Sequence, residues 1–227
     1  MRDTAAGLAE RREETWYDFL YKHNVFDGKP MESVLNVGIG YSTLFSGSCM
    51  DVYGIDIHED VAEFQRDKVF IKDMRLCDVS DSFPKYKTKF PLAVATEVLE
   101  HLYDGRVLLR NIRNVLSPGG YLFLTIPNDF GFYMNRLNVL FKGLRGHNAV
   151  LENPYDYPHV RFFNEALIGS LLTSEGYDVI AIEGYNPTER DSIGGWLRAP
   201  PFKDALAKAF PDLFATNYMI LARKVTL

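Results

Sequence analysis

The first hydrophobic positions of the chain recur at helical spacing. Trp16, Phe19, Leu20 and His23 stand at i, i+3, i+4 and i+7, so an α-helix would place all four on one face. The pattern predicts an amphipathic helix over residues 5–23, ended by the turn signal at residues 26–28. Residues 1–30 are therefore expected to form an N-terminal helical extension ahead of the main fold.

From residue 33 onward, short runs of aliphatic and β-branched residues alternate with helical patterns. The runs predict strands at 34–37, 52–57, 69–76, 92–96, 121–126, 179–183 and 218–222. Residues 107–116 carry one apolar helical face, and the turn sequence Ser-Pro-Gly-Gly at 117–120 follows them. Such alternation of strand and helix predicts an α/β fold, with a largely parallel sheet covered by helices on both faces.

Two further segments lie near the end of the predicted sheet. Residues 164–175 read as a helix, with Asn164 as its N-cap and Gly176 just past its end. Residues 128–158 are longer than an ordinary connection between a strand and a helix, and they are rich in aromatic residues. This stretch is predicted to be an insertion that either lines an acceptor pocket or packs over the sheet. We expect residues 1–227 to form a single domain.

Composition narrows the classes of function. The chain has 47% hydrophobic residues and a formal net charge of −5, values typical of a globular protein without a general affinity for a phosphate backbone. Its two cysteines have no zinc or disulfide spacing. We found neither a signal peptide nor an apolar run long enough to span a membrane. We therefore expect a cytoplasmic protein without nucleic-acid or membrane partners; the sequence does not indicate an oligomeric state.

A cofactor motif follows the first predicted strand. Gly38 and Gly40 come directly after it, and Asp56 ends the next strand eighteen residues after Gly38. In this layout a glycine-rich turn lets the backbone approach a nucleotide, while the carboxylate accepts the ribose hydroxyls. Thr43 stands where a dinucleotide-binding motif has its third glycine, so the pattern does not favour NAD.

Five segments resemble, in order, the successive motifs of class I S-adenosylmethionine (SAM) dependent methyltransferases. They are VLNVGIGYS, VYGIDIHED, the step Cys77-Asp78-Val79, ATEVLEHLYDGRVLLRNIRNVLSPGGYLFLTIPN and HVRFFNEALIGSLLTSEGYDVI. The resemblance is nearest to the small-molecule group that includes the ubiquinone-biosynthesis O-methyltransferases. It implies a Rossmann-like sheet of seven strands, the last one antiparallel, with SAM bound over the carboxyl ends of the strands.

The resemblance also implies a role for individual residues in binding SAM. Gly38 and Gly40 would contact the methionine part, Asp56 with Ile57 beside it the ribose, Asp78 and Val79 the adenine, while Asn36, Thr96 and Glu97 would complete the site. Two positions depart from the family pattern. Asn36 stands where an acidic residue is usual, and Ser42 replaces a third glycine. Without a charge on Asn36, a hydrogen bond to the SAM amino group would be weaker.

Candidate catalytic groups cluster after the fourth predicted strand. Glu97, Glu100 and His101 stand at i, i+3 and i+4, so a helix would place them on one face at the rim of the cleft. Together with His159 they could hold a divalent cation, magnesium or manganese, that activates an acceptor hydroxyl; the resemblance to metal-using methyltransferases supports this interpretation. Alternatively no metal is used, and His101 or His159 is the general base.

The predicted function is transfer of a methyl group from SAM to a hydroxyl of a small molecule. Three alternatives remain open on the sequence: N-methylation, methylation of a sugar or RNA 2′-hydroxyl, and a non-catalytic subunit that supports a partner. The net charge of −5 counts against RNA. Asn36 and Ser42 motivate the non-catalytic alternative, because both depart from the cofactor motif.

Overall fold

We analysed a computed structural model that describes residues 5–27, 31–128, 160–161, 163–186, 209–211 and 215–226. The helices are α1 (Ala5–Lys22), α2 (Glu59–Arg66), α3 (Gly105–Val115) and α4 (Glu165–Ser174), with a 3₁₀ turn at Leu99–His101. The strands are β1 (Ser33–Val37), β2 (Asp51–Asp56), β3 (Ile71–Leu76), β4 (Phe90–Thr96), β5 (Leu116–Pro127), β6 (Tyr177–Tyr185) and β7 (Asn217–Lys224). None of the helices in these ranges is long and apolar enough to cross a membrane.

The seven strands form one sheet in the order β3-β2-β1-β4-β5-β7-β6. The pairs among β1 to β5 are parallel, whereas β7 runs antiparallel to both β5 and β6. This architecture confirms the predicted sheet with an antiparallel last strand. It brings the carboxyl ends of β1, β2, β4 and β5 to one edge, together with the amino end of β7. In open α/β sheets this edge is where ligands bind.

Alternation along the strands builds a separate core on each face of the sheet. One core joins α1 and α2 to the sheet through Trp16, Phe19, Leu20, Val34, Val52, Val61, Leu92, Val94 and Phe123. The other joins α3 and α4 to the opposite face through Leu35, Val37, Ala93, Leu108, Ile112, Leu122, Leu124, Ile168 and Leu172. Helices therefore cover both faces, as predicted, and α1 belongs to the core.

The predicted turn at residues 117–120 lies inside a strand. β5 begins at Leu116 directly after α3, and its register against β4 then shifts. Leu116 pairs with Phe90 and Tyr121 pairs with Leu92, so the four intervening residues oppose a single proline. Gly119, at φ +68°, supplies the left-handed conformation that the irregularity requires. The turn residues thus form a bulge within β5 instead of a loop before it.

The helix predicted at residues 164–175 is confirmed at both ends. Asn164 caps α4, since its side-chain oxygen accepts a hydrogen bond from the Leu167 N–H at 2.8 Å. Gly176 follows the helix at φ +81°, the conformation expected of a residue just beyond a helix end. The predicted insertion at 128–158 lies outside the described residues, apart from its first residue.

That first residue, Asn128, is a buried anchor after β5. Its backbone N–H donates to the Thr216 carbonyl at 2.7 Å. Its side-chain amide donates to the Pro211 carbonyl at 2.9 Å and to the Ala215 carbonyl at 2.8 Å. Thr216 is held from the other side, because its N–H donates to the Asn186 side chain at 3.0 Å. Asn128 and Asn186 follow β5 and β6 directly, so the ends of both strands are tied to the chain entering β7.

Candidate active site

A glycine turn follows β1 at the carboxyl edge of the sheet. Gly38 and Gly40 have φ of +64° and +51°, in the left-handed region that glycine adopts without steric cost. The Gly38 N–H donates to the Ile55 carbonyl at 2.8 Å, which ties the turn to β2. A Cβ atom at Gly38 would lie 2.4 Å from Cγ2 of Val98, so glycine is required there by space as well as by conformation.

Asp56 ends β2 beside this turn, as the sequence predicted, and its buried carboxylate holds the turn in place. One oxygen accepts from the Gly40 N–H at 2.9 Å, and the other accepts from the His58 N–H at 3.0 Å. Gln65 holds the turn from the other side by donating to the Gly40 carbonyl at 2.7 Å. Asp56 therefore has a structural role that the sequence did not indicate. Ile57, next to it, is exposed.

The Cys77-Asp78-Val79 step lies next to Asp56. The Cys77 N–H donates to the Asp56 carbonyl at 2.8 Å. The predicted adenine-binding residues therefore lie next to the predicted ribose-binding residue. Asp78 is exposed and Val79 is buried. Hydrogen bonds from the side chain and backbone of Ser80 hold the pKa of Asp78 below its usual range, so this carboxylate is ionised at neutral pH.

Asn36 lies in β1, two residues before the glycine turn. Its side chain is 3% exposed, and within the described part of the chain no donor hydrogen-bonds its side-chain oxygen. A buried oxygen without a donor costs free energy, and a ligand with an N–H group would remove that cost. Asn36 thus remains suited to the amino group of a bound amino-acid moiety.

Helix α1 reaches the loop that follows the glycine turn. The Glu13 carboxylate accepts from the Thr43 N–H at 2.9 Å and from the Thr43 hydroxyl at 2.8 Å. Glu13 stands one helical turn before Trp16, on the helix predicted only as an extension. No local sequence pattern predicts this contact, because thirty residues separate its two partners.

Glu97 follows β4 in a strained conformation. Its φ is +55°, which costs a residue with a side chain roughly 1–2 kcal/mol. The carboxylate accepts from the Thr125 hydroxyl at 2.8 Å and from the Asn217 amide at 3.1 and 3.2 Å. Thr96, the preceding residue, ends β4 opposite Thr125. Glu97 is therefore held by the ends of β5 and β7.

The predicted helical face with Glu97, Glu100 and His101 does not form. The helical segment is only the 3₁₀ turn, which begins after Glu97, and the left-handed φ of Glu97 breaks the i, i+3, i+4 relation. Glu100 is buried, and one of its carboxylate oxygens lies 3.8 Å from Nε2 of His101. The Val160 N–H donates to the Glu100 carbonyl at 2.9 Å. His159, the other predicted base, lies outside the described residues.

The provisional metal site is not supported. Among the residues that the structure describes, no three His, Cys, Asp or Glu side chains come together in a way that could hold a metal ion. The reason is the divergence of the predicted ligands: Glu97 is bonded to Thr125 and Asn217, whereas Glu100 contacts His101. Magnesium or manganese is therefore not part of the function proposed below.

Three features together define a class of protein: the order of the strands, the glycine turn after β1 and Asp56 at the end of β2. Comparison with known families supports this class. Residues 8–182 match the family described as a methyltransferase domain. The chain belongs to this family, which confirms the resemblance to methyltransferases found in the sequence.

Individual relatives are distant. The chain is 28% identical over 174 residues to the human mitochondrial ubiquinone biosynthesis O-methyltransferase, a match covering 70% of the chain and 46% of the human protein. It is 27% identical over 181 residues to a probable SAM-dependent methyltransferase of Mycolicibacterium smegmatis, covering 78% of the chain and 63% of that protein. The chain thus spans about half to two thirds of these relatives.

A solved structure shows the same fold. The SAM-dependent methyltransferase of Clostridium acetobutylicum superposes with a TM-score of 0.61 at 12% identity, over 94% of this chain and 92% of that one. At this identity the likeness concerns the fold alone. The acceptor therefore has to be proposed from the site.

Proposed function

We propose that the chain transfers the methyl group of SAM to a hydroxyl of a small molecule. The observation that carries the proposal is the Asp56 carboxylate, buried at the end of β2 and bonded to the backbone of the glycine turn. It supports a site in which Gly38 and Gly40 approach the methionine part of SAM, and Asp56 and Ile57 contact the ribose. Asp78 and Val79 would bind the adenine.

The residues present fit this cofactor. SAM carries an amino group and a positively charged sulfur whose methyl group is transferred when an acceptor attacks. Asn36 offers a buried oxygen for which no donor is described, which suits the amino group. Thr96 and Glu97 lie at the end of β4, the strand beside β1, and bring a carboxylate to the cationic end of the ligand.

We infer that His101 takes the proton of the acceptor hydroxyl. Its imidazole is partly exposed, and Nε2 lies 3.8 Å from the buried Glu100 carboxylate. A carboxylate near an imidazole stabilises, through its charge, the imidazolium that forms when the ring accepts a proton. The chain returns to this turn at Val160, whose N–H bonds the Glu100 carbonyl, so His159 in the preceding position remains a second candidate base.

The acceptor itself is proposed from the distant relatives. Those named as ubiquinone biosynthesis O-methyltransferases favour a hydroxyl over an amine. Residues 128–158, the predicted insertion, are proposed to bind it. We also propose that residues 1–227 act as one methyltransferase domain.

Calorimetry with SAM and S-adenosylhomocysteine tests the cofactor site. Asp56→Ala should weaken binding at least tenfold, because a charge-assisted hydrogen bond contributes about 1.5–3 kcal/mol. A 2′,3′-dideoxyribose analogue of S-adenosylhomocysteine separates the two roles of Asp56. The substitution should cost this analogue less than it costs the parent ligand if the carboxylate binds the ribose. An equal cost would leave Asp56 with the structural role alone.

Methyl transfer from radiolabelled SAM to a panel of catechols, phenols and primary amines tests the reaction. We expect product with the hydroxyl compounds. His101→Gln should lower kcat by about 10²–10⁴-fold, the usual contribution of a general base, with little change in SAM affinity. His23→Gln is a matched control, because His23 is bonded to Glu183 of β6, the edge strand that lies three strands from β4. Methylation of the amines alone would contradict the proposal.

A further inference from the structure

Two polar residues hold the Glu97 carboxylate, and the proposed function gives these two residues no role. The Thr125 hydroxyl on β5 donates to one carboxylate oxygen at 2.8 Å. The Asn217 side-chain amide on β7 donates to the two carboxylate oxygens at 3.1 and 3.2 Å. Two strands thus hold this carboxylate at the edge of the candidate active site.

The two donors determine how the carboxylate is oriented. The Thr125 hydroxyl and the Asn217 amide N–H both point toward Glu97, and an ionised carboxylate can only accept hydrogen bonds. Such an arrangement favours one orientation of the carboxylate.

The conformation of Glu97 indicates that this orientation serves more than packing. The residue lies in the left-handed region although it has a side chain, and such outliers persist where the surroundings over-determine them, often at functional sites. Its neighbour Val98 covers Gly38 of the glycine turn, so Glu97 leaves β4 directly beside the proposed cofactor site.

We propose that Thr125 and Asn217 are positioning residues for methyl transfer. They fix the Glu97 carboxylate as a stationary negative charge facing the positively charged sulfur of SAM. This inference rests on the proposed function, because it requires SAM to bind at the glycine turn. A charge that is already oriented stabilises its partner without reorganisation of the site.

Comparison of two ligands isolates this interaction. SAM and S-adenosylhomocysteine share the adenine, ribose and amino-acid groups, but only SAM has the positive sulfur. The ratio of the S-adenosylhomocysteine Kd to the SAM Kd therefore reports the charge-specific part of binding, and it can be measured by calorimetry without an acceptor. Thr125→Val, which replaces the hydroxyl with a methyl group, should lower this ratio by about fivefold, as expected when a charge pair in a partly buried site is loosened.

Two further variants separate positioning from stability. Thr125→Ser keeps the hydroxyl but removes a buried methyl group, so it should lower the melting temperature and leave the ratio at its wild-type value. Asn217→Ala should lower the ratio in the same direction as Thr125→Val.

The outcomes distinguish this inference from the proposed function. An unchanged ratio in folded Thr125→Val, or an equal loss of the ratio in Thr125→Ser, would overturn the positioning role while SAM binding remained. Failure of the wild-type protein to bind SAM, or of Asp56→Ala to weaken binding, would instead refute the proposed cofactor site. A lowered ratio in Thr125→Val and Asn217→Ala, restored in Thr125→Ser, would establish the role.

Discussion

Substitution of Gly38 by alanine tests why the turn after β1 needs glycine. The φ of +64° would cost an alanine roughly 1–2 kcal/mol. The new Cβ would also lie 2.4 Å from Cγ2 of Val98, and such overpacking adds about 1–3 kcal/mol. Gly38→Ala should therefore lower the free energy of unfolding by about 2–5 kcal/mol. It should also weaken SAM binding, because relief of the contact moves the turn.

Gly40 provides the matched control. Its φ of +51° is similar, but a Cβ atom there would meet nothing within 4 Å. Gly40→Ala should accordingly lower the free energy of unfolding only by the cost of the left-handed backbone conformation, roughly 1–2 kcal/mol. The assay is urea unfolding followed by circular dichroism, in which a change of midpoint at constant slope reports stability. Combination of Gly38→Ala with Val98→Ala should show a favourable coupling of about 1 kcal/mol or more. Equal costs for the two glycines, with no such coupling, would refute the steric argument.

Three other predictions concern the rest of the chain. Asn164→Ala should lower the free energy of unfolding by about 1 kcal/mol, because it removes the cap of α4, whereas Asn164→Ser should retain most of it; equal losses would contradict the cap. Burial alone would raise the pKa of Glu183, but hydrogen bonds from Lys22 and His23 lower it overall. The ionised carboxylate therefore stabilises the fold at pH values above its ordinary pKa of about 4.3. This stabilisation is lost as the pH falls through the lowered pKa of Glu183 in the folded protein. The difference in melting temperature between wild type and Glu183→Gln should shrink from pH 7 to pH 3, and a constant difference would argue against the ion pair. Exhaustive chelation should leave the melting temperature and the SAM Kd unchanged, since the predicted metal ligands diverge; a loss restored by magnesium would reinstate the metal.

The local pattern of hydrophobic and polar residues was sufficient to predict where the strands of the sheet lie. The run predicted at 34–37 is β1, and the run at 92–96 is the buried part of β4. Both strands are apolar on their two faces, so their sequences differ clearly from the polar connections around them. The same holds for Asp56, because the apolar run that follows the glycine turn ends at this residue.

The contacts that hold the site were not visible in the sequence. Glu13 meets Thr43 across 30 positions, and Asn217 meets Glu97 across 120. Neither pair belongs to a local motif, so only the folded sheet brings the partners together. The helical face predicted for Glu97, Glu100 and His101 does not form, and the reason is different. The i, i+3, i+4 rule applies within a helix, and the left-handed φ of Glu97 lies outside one.

The anchoring of Asn128 bears on how such a chain can change during evolution. Asn128 and Asn186 close the ends of β5 and β6 on the residues that enter β7. These junctions are formed by groups of the sheet and of the residues entering β7, and the hydrogen bonds at Asn128 satisfy buried polar atoms there. Segments of different length or composition can therefore be exchanged after Asn128 or after Asn186 while the sheet keeps its geometry. We expect that new acceptor preferences can arise by such exchange without loss of the proposed methyl-donor site, and the same two junctions are suitable boundaries for grafting segments from related proteins.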